Sequence, residues 1–229
     1  GFSPKASYIF RKQIEEADFV IVNRLDELSG EQVAEIAALL EEQYPGRPLI
    51  RMSAKSGEGF ESLLEFLNQE GEFCQRVMDV DYDIYAEGEA ELGWLNSNIH
   101  VRSDKEFELD ALLVDIIGRL KEALEDVGGE TAHLKAIGLW EGFYGVANLI
   151  SSATPPELSL PSNCRVKEAQ LVVNARVAVD PESLERLVRK HVAEAAAALG
   201  SDAEFLTVQC LRPGRPVPTH RINEPAADA

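Results

Sequence analysis

Two kinds of hydrophobic spacing divide the chain. Early on, Asp18-Phe-Val-Ile-Val-Asn23 is a continuous apolar run, and Pro48-Leu-Ile-Arg-Met-Ser53 is mostly another. Continuous rather than alternating hydrophobicity predicts parallel strands covered on both faces. Between them Ser29-Gly-Glu-Gln32 has the spacing of a capping box, and Val33, Ile36, Ala37 and Leu40 follow at helical intervals. Lys5 to Glu16 reads as the end of a helix, and Phe60, Leu63, Leu64 and Leu67 line one face of another. Pro45 and Gly46 break the pattern between them. The order is βαβα, which requires a parallel sheet with crossover helices.

Further along the spacing changes. Asp79, Asp81, Asp83, Glu87, Glu89 and Glu91 stand at odd positions, with Val80, Tyr82, Ile84, Ala86 and Leu92 between them. Period two predicts an extended strand with one carboxylate face, which Gly88 and Gly93 could interrupt. Trp94 to Arg102 then reads as a strand, and Glu108 to Asp126 as a helix with Leu109, Leu112, Leu113, Ile116, Ile117, Leu120 and Leu124 apolar. Gly128-Gly129 stops it. His133 to Trp140 and Tyr144 to Ser151 read as strands around a tight Glu141-Gly142 turn, with loops at Thr154 to Glu157 and Leu160 to Asn163. Glu168 to Val179 is a strand; Asp180-Pro181 caps a helix running to Leu199; Glu204 to Leu211 is the last strand. The order β-α-β-β-β-α-β predicts a ferredoxin-like α+β sandwich with one extra strand, its helices on one face of the sheet and the other face free. From Pro213 onward the prolines predict an extended or disordered tail.

Composition narrows the functional classes. The 229 residues carry 22 Lys and Arg against 40 Asp and Glu, a net charge of −18, which argues against a nucleic-acid surface. No apolar run reaches the length of a membrane span and no signal-peptide pattern opens the chain, so a cytoplasmic location is expected. Cys74, Cys164 and Cys210 are widely spaced and form no C-x-x-C pair, which fits a reduced compartment.

Two short motifs carry the chemistry. Asn23-Arg24-Leu25-Asp26 follows the first parallel strand, and Ser53-Ala54-Lys55 follows the second. Ligands of open α/β sheets bind at the carboxyl ends of strands, so both motifs point to one rim. A carboxylate accepts two hydrogen bonds at once, matching the N1–H and N2–H₂ donors that guanine has and adenine lacks. An Asn amide can reach N7 and tie neighbouring loops, a backbone N–H at Ala54 can donate to O6, and an Arg can stack on a base.

Asn23-Arg24-Leu25-Asp26 is similar to the N-K-x-D guanine motif of P-loop GTPases, and Ser53-Ala54-Lys55-Ser56-Gly57 resembles their S-A-x-x-G motif. Lys12-Gln13-Ile14-Glu15-Glu16-Ala17-Asp18 and Leu92-Gly93-Trp94-Leu95-Asn96 resemble the CobW branch, related to UreG and HypB, whose members are metal-handling GTPases linked to zinc, cobalt or cobalamin delivery. The resemblance implies that Asp26 takes the base edge, Asn23 takes N7 and braces the loops, Arg24 covers the base face, and Ala54 with Lys55 takes O6; Ser53, which opens the second motif, is counted with them as a nucleotide-binding residue. Arg24 stands where the family has Lys, and stacking on the base is expected to survive that exchange.

The resemblance also divides the chain: 1–72 as the C-terminal part of a GTPase domain, 73–92 as an acidic extended linker, 93–212 as a CobW C-terminal-like α+β domain, and 213–229 as a flexible tail. No G-x-x-x-x-G-K-[ST] occurs in the chain, so GTP is expected only by its guanine end. Mg²⁺ and a transition metal are expected only with an upstream region, and the chain is read as a fragment with no hydrolysis of its own. The expected partners are a guanine nucleotide and a client metalloprotein or cobalamin-pathway protein, and an open sheet edge is expected to be covered by a second copy or by the second domain.

Plainer readings stand beside these. Asn23 and Asp26 also suit a polar loop, and Ser53 a helix cap. The acidic segment reads as a solvated face before a cation site, and Asn96, Asn98 and His100 as an exposed polar sheet face before a metal or ligand site. A non-enzymatic interaction module built on the ferredoxin-like domain is the alternative to a GTPase fragment.

Overall fold

A computed structural model describes residues 4–70, 73, 76, 77 and 79–217. Cys74, Pro218, His220, Arg221 and Pro225 lie outside them, as does most of the expected tail; residues 212–217 carry no regular secondary structure. The chain is mixed α/β and divides into two compact units, residues 4–85 and 86–215.

The first unit contains α1 (Pro4–Glu16), β1 (Val20–Val22), α2 (Gly30–Gln43), β2 (Leu49–Arg51) and α3 (Phe60–Leu67). β1 and β2 pair in parallel, with Val20 opposite Leu49 and Val22 opposite Arg51. Ser29 and Gln32 form the full capping box, each side chain accepting from the other's backbone N–H. The first unit's core is small: Val22, Ile50, Met52 and Val80 are buried, and Phe19 packs on Phe66 with ring centroids 4.3 Å apart and the rings tilted by 48°. Gly59, at φ +73°, opens α3 so close to β2 that a Cβ there would lie 2.1 Å from the Arg51 carbonyl oxygen. Only glycine fits that approach.

The acidic segment corrects the expectation of an extended linker. Residues Tyr82–Glu89 form a helix, α4, and the division between the units falls within it. The Asp81 carboxylate accepts from the N–H groups of Asp83 (2.9 Å) and Ile84 (3.2 Å), an N-cap that starts the helix. Tyr82, Tyr85, Ala86 and Glu89 are partly covered at helical spacing, so the alternation of acids carries no strand signal here.

The second unit is a six-stranded antiparallel sheet with two long helices. Its elements are β3 (Gly93–Glu108), α5 (Leu109–Asp126), β4 (Thr131–Trp140), β5 (Phe143–Leu149), β6 (Glu157–Leu160), β7 (Arg165–Val177), α6 (Pro181–Ala198) and β8 (Ser201–Leu211). The strand order is β6-β5-β4-β7-β3-β8. One more strand forms than expected: β6 occupies four residues that the surrounding Pro155, Pro156 and Pro161 disguise as loop, and among the described residues it pairs with β5 alone, at the sheet edge, where prolines are tolerated. β4 and β5 meet in a two-residue turn in which Glu141 (φ 45°) and Gly142 (φ 88°) are both left-handed, the geometry that matches strand twist.

Alternation along β3 and β7 is nearly strict. Leu95, Ile99 and Val101 of β3 and Ala169, Leu171, Val173, Ala175 and Val177 of β7 are buried in one core with Leu112, Leu113, Ile116, Ile117 and Leu120 of α5 and Leu184, Val188 and Val192 of α6. Asn96, Asn98 and His100 point to the opposite, open face, as their spacing implies. α6 is capped by Asp180, whose carboxylate accepts from Ser183 N–H at 2.8 Å, with Pro181 at the first turn. Those bonds hold the Asp180 carboxyl below the usual carboxylate range. Among the described residues no helix is long and apolar enough to cross a membrane.

Candidate functional site

The short parallel pair sets the rim. Met52 N–H donates to the Val22 carbonyl (2.9 Å) and Leu25 N–H to the Met52 carbonyl (3.3 Å), so the two chains leave the sheet side by side. Arg24 then adopts a left-handed conformation, φ 69° and ψ 38°, and the chain turns into a short 3₁₀ segment, Leu25–Glu27. Few non-glycine residues take that backbone, and Asn23 stabilises it by accepting the Arg24 N–H on its own Oδ1 at 2.8 Å.

The same Asn23 Oδ1 accepts the Ala54 N–H at 2.9 Å, across thirty-one positions of sequence. One side-chain oxygen therefore clamps both loops. This is the bracing expected of Asn23, but it changes the role expected of Ala54. Its N–H, read as a donor to a purine O6, is committed to Asn23 in this structure.

Asp26 and Ser53 form the second link. The Ser53 hydroxyl donates to Asp26 Oδ1, and Ser53 Oγ accepts the Ser56 N–H at 3.1 Å. Ser53 is fully buried while the Asp26 carboxylate faces solvent, so a buried hydroxyl aims an exposed acid. That hydroxyl, helped by Asp26's own backbone N–H and the positive charges of Lys55 and Arg24, holds the carboxyl below its ordinary value against a smaller opposing effect of burial. At neutral pH Asp26 is an acceptor only, and one bond from Ser53 leaves most of its lone-pair positions open.

Arg24 and Lys55 frame this pair. The Arg24 guanidinium is paired with the Glu27 carboxylate three residues on, beside its own turn. Lys55 is exposed next to Ala54. The structure thus brings Asn23, Asp26, Ser53 and Ala54 into one hydrogen-bonded cluster, with Arg24 and Lys55 at its margin.

Sequence reading missed three contributors. Ser56 anchors the Ser53 hydroxyl, Glu27 holds Arg24, and Glu58 accepts the Ser53 N–H at 2.8 Å through its carbonyl. The tight Ser53–Gly59 segment, with glycines at 57 and 59, was the signal available for the first and last of these. Among the described residues no group of three or more His, Cys, Asp and Glu side chains is placed to hold a metal ion. No protein-family model, no curated protein and no solved structure matches this chain.

Proposed function

We propose that residues 4–85 form the guanine-reading rim of a nucleotide-binding unit of the P-loop GTPase type, and that the chain is the C-terminal portion of a CobW-like protein. One observation carries the reading: Asn23 clamps Ala54 while the Ser53 hydroxyl turns an ionised Asp26 toward the same rim. A fixed carboxylate beside a fixed carboxamide is what the N1–H, N2–H₂ and N7 edge of guanine requires, and adenine offers that carboxylate no matching pair of donors. GTP would engage by its base alone, with Asp26 at N1–H and N2–H₂ and the Asn23 amide at N7. O6 would take the Ala54 N–H only in exchange with, or shared with, Asn23; Lys55 borders the same position. Arg24 would leave or share Glu27 to cover the base.

The surface of the unit supports this reading. α2 and α3 bury no residue fully, and Leu39, Phe60, Leu64 and Leu67 are exposed. Such apolar faces fit a larger sheet or a second copy covering them. In the second unit the order β4-β7-β3-β8, with α5 and α6 packed on one face, supports a ferredoxin-like arrangement to which the β5–β6 hairpin is added at one edge. In this proposal that domain selects the client, a metalloprotein or a cobalamin-pathway protein, and the whole protein couples GTP hydrolysis to metal handling.

Guanosine and adenosine titrated separately against the ¹⁵N-labelled chain test the reading at its base. The expected result is guanosine-dependent shifts at the Arg24, Asp26, Ala54 and Lys55 amides with little response to adenosine. Equal responses to both nucleosides at those amides would remove the proposal.

A further inference from the structure

The open face of the second unit's sheet carries an arrangement that the guanine rim does not use. Strand register places Trp94 of β3, Arg176 of β7 and His133 of β4 in one row across three adjacent strands. The next row is Asn96, Asn174 and Lys135. Cross-strand neighbours on one face stand within side-chain reach of each other, so the two rows gather an indole, a guanidinium, an imidazole, two carboxamides and an ammonium.

Their bonding is incomplete. The Arg176 guanidinium lies over the Trp94 ring, 4.0 Å from its centroid. The Trp94 indole N–H is shielded from solvent and has no acceptor among the described residues. No carboxylate pairs with Arg176 or Lys135 among the described residues, although acids outnumber bases in the chain by 40 to 22. A hollow of about 590 Å³ opens here, lined by Trp94, Asn96, His133, Asn174 and Arg176 among others, with no acid among its lining residues; Lys135 is not part of that lining and stands beside it, opposite Asn174 in the second row. Burial first, then the charges of Lys135 and Arg176, depress the His133 pKa.

We propose that this hollow binds a small oxyanion, a phosphate or carboxylate group, held by Arg176 and Lys135 and accepting the Trp94 indole N–H, with Asn96 and Asn174 completing its hydrogen bonds. A planar guanidinium fixed by stacking on an indole presents its N–H edge outward and loses little freedom when an oxyanion arrives. Donors without acceptors and cations without carboxylates are what an anion satisfies, by supplying the missing acceptors and negative charge. The site lies wholly within residues 86–215 and does not depend on the nucleotide reading.

The probes are inorganic phosphate and citrate, added at constant ionic strength to the full chain at pH 7. The readout is the indole N–H resonance of Trp94, distinguished from that of Trp140 by Trp140→Phe. The expected result is a saturable shift with at least one of the two anions, the arm that saturates identifying the oxyanion. Arg176→Gln is expected to weaken that binding about tenfold or more, Arg176→Lys to recover part of it, and Lys135→Gln to weaken it less. Arg176 is exposed, so folding should survive its replacement, which the remaining resonances report. Failure of both anions to saturate would overturn the site. So would unchanged affinity in Arg176→Gln, or in Lys135→Gln should the first variant unfold.

Discussion

The two units solve the burial problem differently. In residues 86–215, strands of up to sixteen residues and two eighteen-residue helices meet across one continuous core, with Ile99, Leu112, Ile116, Leu171 and Val192 at zero exposure. In residues 4–85 the two paired strands are three residues each, and Phe60 and Leu67 remain 47% and 61% exposed. Yet the first unit holds a closely bonded polar cluster, whose order comes from hydrogen bonds at one rim rather than from a large core. A large core supports a broad open face; a small one can still fix a few side chains if each is bonded twice.

The sharpest way to break this contrast is to delete core volume. Ile116→Ala should cost about 2–5 kcal/mol of stability in the second unit, whereas Leu64→Ala, on a partly exposed face of α3, should cost within about 1 kcal/mol. Denaturant unfolding followed by resonances of each unit would report both, and similar losses would mean that the two units share one cooperative core. Ser53→Ala should cost about 1–2 kcal/mol, since it strips the Ser56 N–H and the Asp26 carboxylate of a common buried partner. The same variant should let the Asp26 pKa rise toward its ordinary value, readable by carboxyl ¹³C titration; an unmoved pKa would mean that the hydroxyl does not hold the acid.

Smaller effects follow from single caps and charges. Ser29→Ala should destabilise α2 by about 1 kcal/mol, with faster amide exchange over Gly30–Gln43. His133 has a folded pKa below its ordinary 6.5, so the folded state binds fewer protons than the unfolded chain in the interval between the two values. The second unit should therefore lose a little stability as pH falls from that ordinary value toward the folded one. His133→Gln should flatten the change, and an equal decline in the variant would assign it to other groups. Smallest of all, Cys210, whose thiol is pushed up to about 11 by burial and donates to the Pro181 carbonyl at 3.1 Å, should alkylate more slowly at pH 8 than a free thiol does.

The parts that were legible in the sequence are those with one dominant local cause. Ser29 and Gln32 declare a capping box, Asp180-Pro181 a helix start, and Glu141-Gly142 a hairpin turn; all three form. The long alternation of β3 and β7 declared a sheet with one buried face. What misled was pattern without a partner. The acids from Asp79 to Glu91 alternate, but among the described residues no strand pairs with them, and Asp81 capping two amides favours a helix. β6 was hidden because four residues between prolines carry little periodicity, and only β5 makes them a strand.

At the rim, residue types indicated which side chains would meet but not how they would share bonds. Asn23, Asp26, Ser53 and Ala54 do gather. That Asn23 would take the Ala54 N–H, and Glu27 the Arg24 guanidinium, depends on the left-handed turn at Arg24, which no spacing rule announces.

If Asp26 reads the donor edge of a purine, replacing its acceptor pair by a donor and an acceptor should change which purine is preferred. Asp26→Asn keeps the shape, and its amide can donate to the 2-keto oxygen that xanthine carries in place of the guanine amine. Parallel titrations of both proteins with guanosine and xanthosine should show the wild type preferring guanosine and Asp26→Asn preferring xanthosine. The same ranking in both proteins would contradict the account.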